Sequence, residues 1–326
     1  MKLGRRRFLH FAAGTIALPA LSRIARAQAW PSRVVRLLVG FPPGGGADAA
    51  CRVIANRLSE IWGQSVVVEN RSGAGGNIAL DAAAHAPPDG YTLVLATVAP
   101  PIYSFLFGSL GYDPVADLAP VSMIGEYPNI LVVSNASPIA STREYIAYAR
   151  ANPGKLTFAS PGVGTTGHLS AELFKRTAGI EIIHVPYRGV AAGAMTDLLT
   201  GRVDSMFNTT GSLLQSVRAG QVRGLGVSSG RPFETAPELP SLADAAPGYE
   251  AMWWYGIYVP AKTPDPIVRK MNGDIVAMLV EPEIKRRFEP LGIAPASTTP
   301  MQLAARARAD AELWGPVIKA ENIRGG

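Results

Sequence analysis

From Arg33 onward the sequence alternates short β-branched apolar runs with amphipathic helical patterns, and this alternation limits the fold more than any other feature. Predicted strands at 34–39, 66–69 and 91–96 are separated by predicted helices at 48–62 and 79–86. Strands that alternate with helices pair in parallel, because each helix returns the chain across the sheet. The sequence therefore predicts an α/β fold in which mostly parallel sheets are flanked by helices.

A second series of the same kind occupies the middle of the chain. Its predicted strands are 156–159, 180–185, 203–208 and 224–228, and its predicted helices are 142–151, 167–177, 191–200 and 212–219. Two apolar runs, 121–124 and 130–133, suggest a crossing between lobes. A strand at 253–259 and helices at 266–280 and 301–320 should return to the first lobe. We expect residues 30–127 plus 252–326 to form lobe 1 and residues 128–251 to form lobe 2, with a cleft between them.

The first 29 residues have the anatomy of an export signal. A twin-arginine segment, Gly4 to His10, precedes an apolar stretch from Phe11 to Leu21 and small residues that suit cleavage near Ala27 to Ala29. The apolar stretch is shorter than the roughly 20 residues that a spanning helix needs. We therefore expect a periplasmic protein whose signal is removed.

The net charge of the chain comes from that segment. Six of the 31 basic residues and none of the 25 acidic ones precede residue 30, so the two signs balance in the remainder. The charge therefore gives no support for nucleic acid or an anionic membrane as a partner. Cys51 is the only cysteine, which excludes an intrachain disulfide.

The first candidate binding segment, Phe41-Pro42-Pro43-Gly44-Gly45-Gly46-Ala47-Asp48, lies between a predicted strand and a predicted helix. Glycines let backbone amides approach a ligand closely, and the start of a helix attracts an anion. We take Phe41, Pro43 and Gly44 to Gly46 as candidate ligand contacts. Asp48 suits an N-cap as well as a binding role. The segment lacks the Gly-Lys-Ser/Thr of a nucleotide-phosphate loop.

The second candidate segment, Ser160-Pro161-Gly162-Val163-Gly164-Thr165-Thr166-Gly167-His168, also joins a predicted strand to a predicted helix. It matches a dinucleotide fingerprint, but the next predicted strand does not end in the acidic residue that would hold a ribose. The hydroxyls of Thr165 and Thr166 suit a carboxylate instead. His168 and Glu172 are too few to bind a metal. We expect neither a metal nor a cofactor.

Further candidates come from other strand ends: Thr97, Ser160, Tyr187, Arg188 and Asn208. Arg188 could clamp a carboxylate or form a surface salt bridge. The aromatic run Trp253-Trp254-Tyr255 could wall the cleft or fill the core. No motif of a hydrolase, a metalloprotease or a redox enzyme is present, so we predict a binding protein without catalytic residues.

These segments together resemble the Bug family, the periplasmic substrate-binding receptors of tripartite tricarboxylate transporters. The resemblance also includes Val67 to Asn77, Pro88 to Leu93, Asn152 to Leu156, His184 to Gly189 and Pro247 to Glu250. It implies a two-lobed, type II periplasmic-binding-protein fold that closes on small carboxylates like a Venus flytrap. The family pattern places the ligand carboxylate between Gly44, Gly45, Gly46 and Asp48 on one side and Gly164, Thr165, Thr166 and His168 on the other.

The resemblance also implies a monomer that delivers a small organic acid to the membrane components of a transporter. A sensor that serves a signalling kinase, or an exported nucleotide-cofactor enzyme, remains an alternative. Many relatives carry Asp where this chain has Asn208. A neutral amide lacks the charge that would favour an ammonium group, so we expect a ligand without an α-amino group.

Overall fold

The structure, a computed structural model, describes residues 30–187 and 193–325. The predicted signal segment, Arg188 and the start of the predicted helix 191–200 lie outside the described residues. From Pro31 onward the chain forms one compact unit.

The described residues form strands and helices in alternation, as the sequence predicts. The strands are β1 (Val35–Val39), β2 (Val66–Asn70), β3 (Thr92–Ala96), β4 (Leu118–Ser134), β5 (Thr157–Ser160), β6 (Ile183–Pro186), β7 (Ser205–Thr209), β8 (Val222–Val227) and β9 (Met252–Pro260). The helices are α1 (Gly46–Trp62), α2 (Asn77–Ala84), α3 (Tyr103–Leu106), α4 (Thr142–Ala151), α5 (Thr166–Ala178), α6 (Met195–Leu199), α7 (Thr210–Arg218), α8 (Asp265–Leu279), α9 (Pro282–Phe288) and α10 (Pro300–Ala320).

The strands form two sheets that share β4. The first sheet has the order β2-β1-β3-β9-β4, and the second has the order β8-β4-β7-β5-β6. In the described residues a single strand of each sheet runs against the other four, β9 in the first sheet and β4 in the second. The prediction of a two-lobed α/β fold with mostly parallel sheets is therefore confirmed.

Strand β4 joins the two sheets. It pairs with β9 from Leu118 to Pro128 and with β7 from Asn129 onward. Proline has no amide hydrogen for a ladder, and Pro128 lies where one set of partners ends and the other begins. The two short runs predicted on either side of Pro128 are thus one continuous strand.

Helices cover the sheets and explain the apolar composition of the strands. Helices α1 and α2 contact β1, α8 and α10 contact the first-sheet side of β4, and α5 and α7 contact β7. All five residues of β3 are buried, as expected for a strand with helices on both faces. No helix in the described ranges is long and apolar enough to cross a membrane.

Local signals fix where several helices begin and end. Helix α1 ends at Gly63, which has a left-handed φ of 62°, and α10 begins with a capping box formed by Thr299 and Gln302. Helix α9 was not predicted from the sequence, and its buried apolar residues are only Ile284 and Phe288. One buried pair among charged residues gives too weak an amphipathic pattern to predict a helix.

Candidate functional site

A cavity of about 290 Å³ lies between the two sheets. The first lobe contributes the loop after β1, the start of α1, and Thr97 after β3. The second lobe contributes Pro161, Thr165 and Thr166 from the β5–α5 connection, Met195, and residues from the end of β7 and from α7. Tyr127 of β4 and Tyr255 of β9 complete the wall. The cleft predicted from the sequence is therefore present.

The structure brings many of the predicted site residues to this cavity. Phe41, Pro43, Gly44, Gly45, Gly46, Thr97, Thr165, Thr166 and Asn208 line it. Five others do not line it: Asp48, Ser160, Gly164, His168 and Tyr187. Arg188 is outside the described residues.

Three helices begin at the cavity wall. Their N-cap residues are Gly45 for α1, Thr165 for α5 and Thr209 for α7. None of these three residues caps its helix with its own side chain, although the Gly46 amide of α1 donates to Ser212 Oγ at 3.2 Å. The first amides of a helix have no partner within the helix and carry a partial positive charge. The cavity therefore offers an anion backbone donors from both lobes.

Within residues 30–187 and 193–325, no charged side chain lines the cavity. Its polar groups are hydroxyls and one amide, and Phe41, Pro42, Pro43, Pro161 and Met195 supply apolar surface. The predicted hydroxyl donors of Thr165 and Thr166 are already engaged, with the Gly162 carbonyl at 2.7 Å and with Asn129 Oδ1 at 3.4 Å. Peptide dipoles and backbone amides, rather than an ion pair, are thus available to balance an anionic ligand. The apolar walls suit a hydrocarbon body between its polar groups.

Asn208 presents a hydrogen-bond donor that no described residue satisfies. Its side chain is 2% exposed, and its Oδ1 accepts a hydrogen bond from the Thr209 amide at 2.8 Å. That bond fixes the orientation of the side-chain amide, so Nδ2 is the free atom, and it has no partner in the described part of the chain. A buried donor without a partner costs free energy unless a ligand acceptor satisfies it.

The aromatic run predicted at 253–255 divides between core and cavity. Trp253 stacks on Trp314 at 4.7 Å between ring centroids, and Trp254 Nε1 donates to Asp310 Oδ2 at 2.6 Å. Tyr255 instead lines the cavity and stacks on Tyr127 at 4.2 Å. The Tyr255 hydroxyl lies close to the Thr209 and Tyr127 side chains.

Several lining residues were not predicted from the sequence, notably Tyr127, Thr209, Ser212 and Ser216. Ser212 and Ser216 are four residues apart in α7 and therefore share one helix face. Two polar residues four apart, directly after the end of a predicted strand, were the sequence signal that could have identified this face as part of the site. Tyr127 lies in the predicted crossing between lobes. There the strand register decides which side chains face the cavity, and that register cannot be derived from the sequence.

Asp48 supports the glycine loop from behind. It is the third residue of α1, so the N-cap role considered for it is wrong, and Gly45 occupies that position. Its carboxylate accepts hydrogen bonds from the Gly44 amide at 3.0 Å, Arg52 Nε at 2.8 Å and Asn70 Nδ2 at 2.9 Å. Burial alone would raise the pKa of Asp48, but these donors outweigh burial and lower that pKa.

Two histidines stack behind the second-lobe loop. The ring centroids of His168 and His184 are 3.8 Å apart, with 13° between the planes. His168 Nδ1 accepts from the Gly164 amide at 3.1 Å, and His184 Nε2 is 2.6 Å from Ser160 Oγ. No group of three or more potential metal-ligating side chains occurs in the described ranges.

Buried His184 should make the fold sensitive to acid. Burial, with a smaller contribution from the neighbouring His168, lowers the pKa of His184 to about 3. Because an unfolded histidine titrates near pH 6.5, the unfolded chain binds more protons than the folded chain between these values. The free energy of unfolding should therefore fall as the pH drops through this window, by up to about 1.4 kcal/mol per pH unit from this group.

His184→Gln retains a polar group near Ser160 but does not titrate. In denaturant unfolding measured from pH 7 to pH 4, the variant should lose stability with a shallower slope than the wild-type protein. Identical slopes would contradict the lowered pKa of His184.

Comparison with known proteins places the chain in a family. The profile described as "Tripartite tricarboxylate transporter family receptor" matches residues 50–323. A UPF0065 protein from the tcbD-tcbE intergenic region of Pseudomonas sp. (strain P51) is 39% identical over 321 residues, covering 97% of this chain and 94% of that protein. Protein BugT from Bordetella pertussis is 33% identical over 307 residues, covering 93% of this chain and 94% of that protein.

Solved structures agree with these relatives. Rpa4515 from R. palustris, solved with adipate, is 37% identical with a TM-score of 0.85, covering 90% of this chain and 99% of that one. MatC from Rhodopseudomonas palustris, solved with bound malate, is 29% identical with a TM-score of 0.80, covering 89% of this chain and 100% of that one. The family consists of solute-binding receptors, which sets aside the interpretation of the second loop as part of a cofactor enzyme. This chain belongs to the tripartite tricarboxylate transporter receptor family, with the Bug proteins among its relatives.

Proposed function

We propose that this protein is a periplasmic receptor that closes its two lobes on a small carboxylate and delivers it to the membrane components of a tripartite tricarboxylate transporter. One observation carries the carboxylate part of the proposal. Three helices whose N-cap residues provide no side-chain cap begin at a cavity that is lined by no charged side chain in the described ranges. Such an arrangement stabilises an anion by helix dipoles and backbone donors from both lobes.

The proposed rigid bodies are residues 30–127 plus 252–326 and residues 128–251. The change of partners along β4, at Pro128 and Asn129, supports a boundary at this point. Closure would bring the helix start at Gly46 and the helix start at Thr166 towards the same ligand. Two lobes that share only a few crossing segments commonly close in this way.

The proposed ligand carries no α-amino group. Asn208 Nδ2 is a donor and needs an acceptor, whereas an ammonium group would bring only more donors. Adipate and malate, the acids in the two solved relatives, both lack an amino group and carry two carboxylates. We therefore favour an aliphatic dicarboxylate, with an aromatic acid as the alternative.

Export would precede this function. The twin-arginine segment and the small residues near Ala27 to Ala29 support cleavage there and a mature protein of residues 30–326. The family membership favours a transporter as the partner over a signalling kinase. The protein would act as a monomer without a cofactor.

The binding proposal is testable by a thermal-shift screen of residues 30–326 against dicarboxylates, aromatic acids, amino acids and nucleotides. A ligand that binds only the folded state adds about 2.7 kcal/mol of stability at a hundredfold excess over its Kd. We expect a shift from adipate or a related acid and none from aspartate or glutamate. A shift from amino acids or nucleotides alone would contradict the proposal.

A further inference from the structure

We propose that His168 is a positioning residue for the second glycine loop, defined here as residues 161–165. Through its Nδ1 atom it holds the Gly164 amide and thereby fixes the loop that presents Thr165 and Thr166 to the ligand. This inference rests on the proposed function for its effect on affinity. The resemblance had suggested His168 as a ligand contact, but its side chain lies behind the cavity wall.

The conformation of Gly164 explains why the loop needs an anchor. Gly164 has a φ of +72°, and a Cβ at this position would collide with the side chain of Leu106 in α3 of the first lobe. A glycine in this region is conformationally free in the absence of further contacts. The hydrogen bond from the Gly164 amide to His168 Nδ1, at 3.1 Å, is the contact that restrains it.

Neighbouring charges fix the tautomer that this role requires. His168 Nδ1 is an acceptor, so the ring hydrogen belongs on Nε2, which lies 3.4 Å from Glu172 Oε1. Lys175 Nζ is 2.7 Å from Glu172 Oε2. Burial would raise the pKa of Glu172, but the contacts with His168 and Lys175 outweigh it and lower that pKa. An ionised Glu172 is the partner that keeps Nδ1 free to accept.

The second histidine, His184, supports the N-terminal end of the loop, near Gly162. His184 stacks on His168 and contacts Ser160 Oγ at 2.6 Å, and Ser160 Oγ in turn accepts from the Gly162 amide at 3.2 Å. Thr165 Oγ1 adds a bond to the Gly162 carbonyl at 2.7 Å. The loop is thus held at Gly162 and at Gly164 before any ligand arrives, which lowers the entropy cost of binding.

Two variants separate this role from simple packing. In His168→Asn the side-chain oxygen replaces Nδ1 as the acceptor but cannot reach Glu172, whereas in His168→Gln the side-chain amide reaches Glu172 but leaves the Nδ1 position empty. His85→Asn, at an exposed histidine, is the matched control. Amide hydrogen exchange by NMR on the unliganded protein should show slow exchange at Gly164 in the wild-type protein, His85→Asn and His168→Asn. Exchange at Gly164 should be at least about tenfold faster in His168→Gln.

Adipate affinity gives the functional readout. We expect His168→Asn to bind adipate within about threefold of the wild-type Kd and His168→Gln to bind about tenfold more weakly. Equal Gly164 exchange in both variants, or loss in His168→Asn with retention in His168→Gln, would overturn the inference. Failure of the wild-type protein to bind any carboxylate would instead overturn the proposed function, because the exchange measurement needs no ligand.

Discussion

Asn208→Asp should weaken the binding of adipate by at least about 100-fold, equivalent to about 2.7 kcal/mol. The substitution is nearly isosteric and retains the acceptor for the Thr209 amide. It replaces the free Nδ2 donor with a negatively charged oxygen in the cavity proposed to bind the carboxylate. Like charges in a closed, largely desolvated site repel strongly, and the ligand acceptor also loses its donor.

Titration calorimetry of the variant with adipate and with glutamate measures both sides of this prediction. We expect the preference to move towards the amino acid, because an aspartate can accept from an ammonium group. Asn135→Asp is the matched control, since it adds the same charge at an exposed position. An Asn208→Asp protein that bound adipate as tightly as the control would show that Asn208 does not contact the ligand.

Gly211→Ala should weaken adipate binding by about 5-fold to 100-fold without lowering the stability of the unliganded protein. Gly211 is the second residue of α7, and a Cβ there would lie 2.9 Å from Gly46 Cα and 3.2 Å from the Leu291 carbonyl oxygen, both in the first lobe. The same contact includes a hydrogen bond from the Gly46 amide to Ser212 Oγ at 3.2 Å. Overpacking of this kind typically costs about 1–3 kcal/mol. If the contact between Gly46 and Gly211 forms only when the lobes close, the overpacking destabilises the closed state and leaves the open state unchanged.

The stability of the unliganded Gly211→Ala protein shows whether the substitution affects only the closed state or destabilises the fold as a whole. Alanine is a better helix former than glycine, so an open receptor should tolerate it in α7. Gly273→Ala in α8 is the matched control, because a Cβ there would meet nothing within 4 Å. Thermal unfolding and calorimetry of both variants give the comparison. A lower melting temperature with unchanged adipate affinity would show that the Gly46–Gly211 contact persists in the open receptor.

Much of the fold follows from local sequence patterns. The helix predicted at 142–151 has the same bounds in the structure, because Ser141 caps it and its apolar spacing is regular. The strand at 91–96 differs by one residue. Strand β4 was predicted only as two fragments, since its pairing with β7, β8 and β9 depends on contacts distant in sequence. Tertiary pairing overrides the local tendency of Pro128 to end a strand.

The site was partly predictable for a similar reason. Glycine-rich connections between a strand and a helix identified the two loops, because positive φ and helix starts are local properties. The roles of Asp48 and His168 were not readable in this way. Asp48 accepts from the Gly44 amide and His168 from the Gly164 amide, in each case four residues earlier in the chain. Whether such a side chain faces the cavity or the loop depends on how the loop folds back onto the helix.

The most direct test of the central claim is a crystal structure of residues 30–326 grown with the acid that gives the largest thermal shift. We predict one ligand carboxylate within hydrogen-bond distance of the first amides of α1 and α5, and an acceptor oxygen of the ligand beside Asn208 Nδ2. A carboxylate that paired with a lysine or arginine outside the cavity, or a cavity that remained without the acid, would contradict the account.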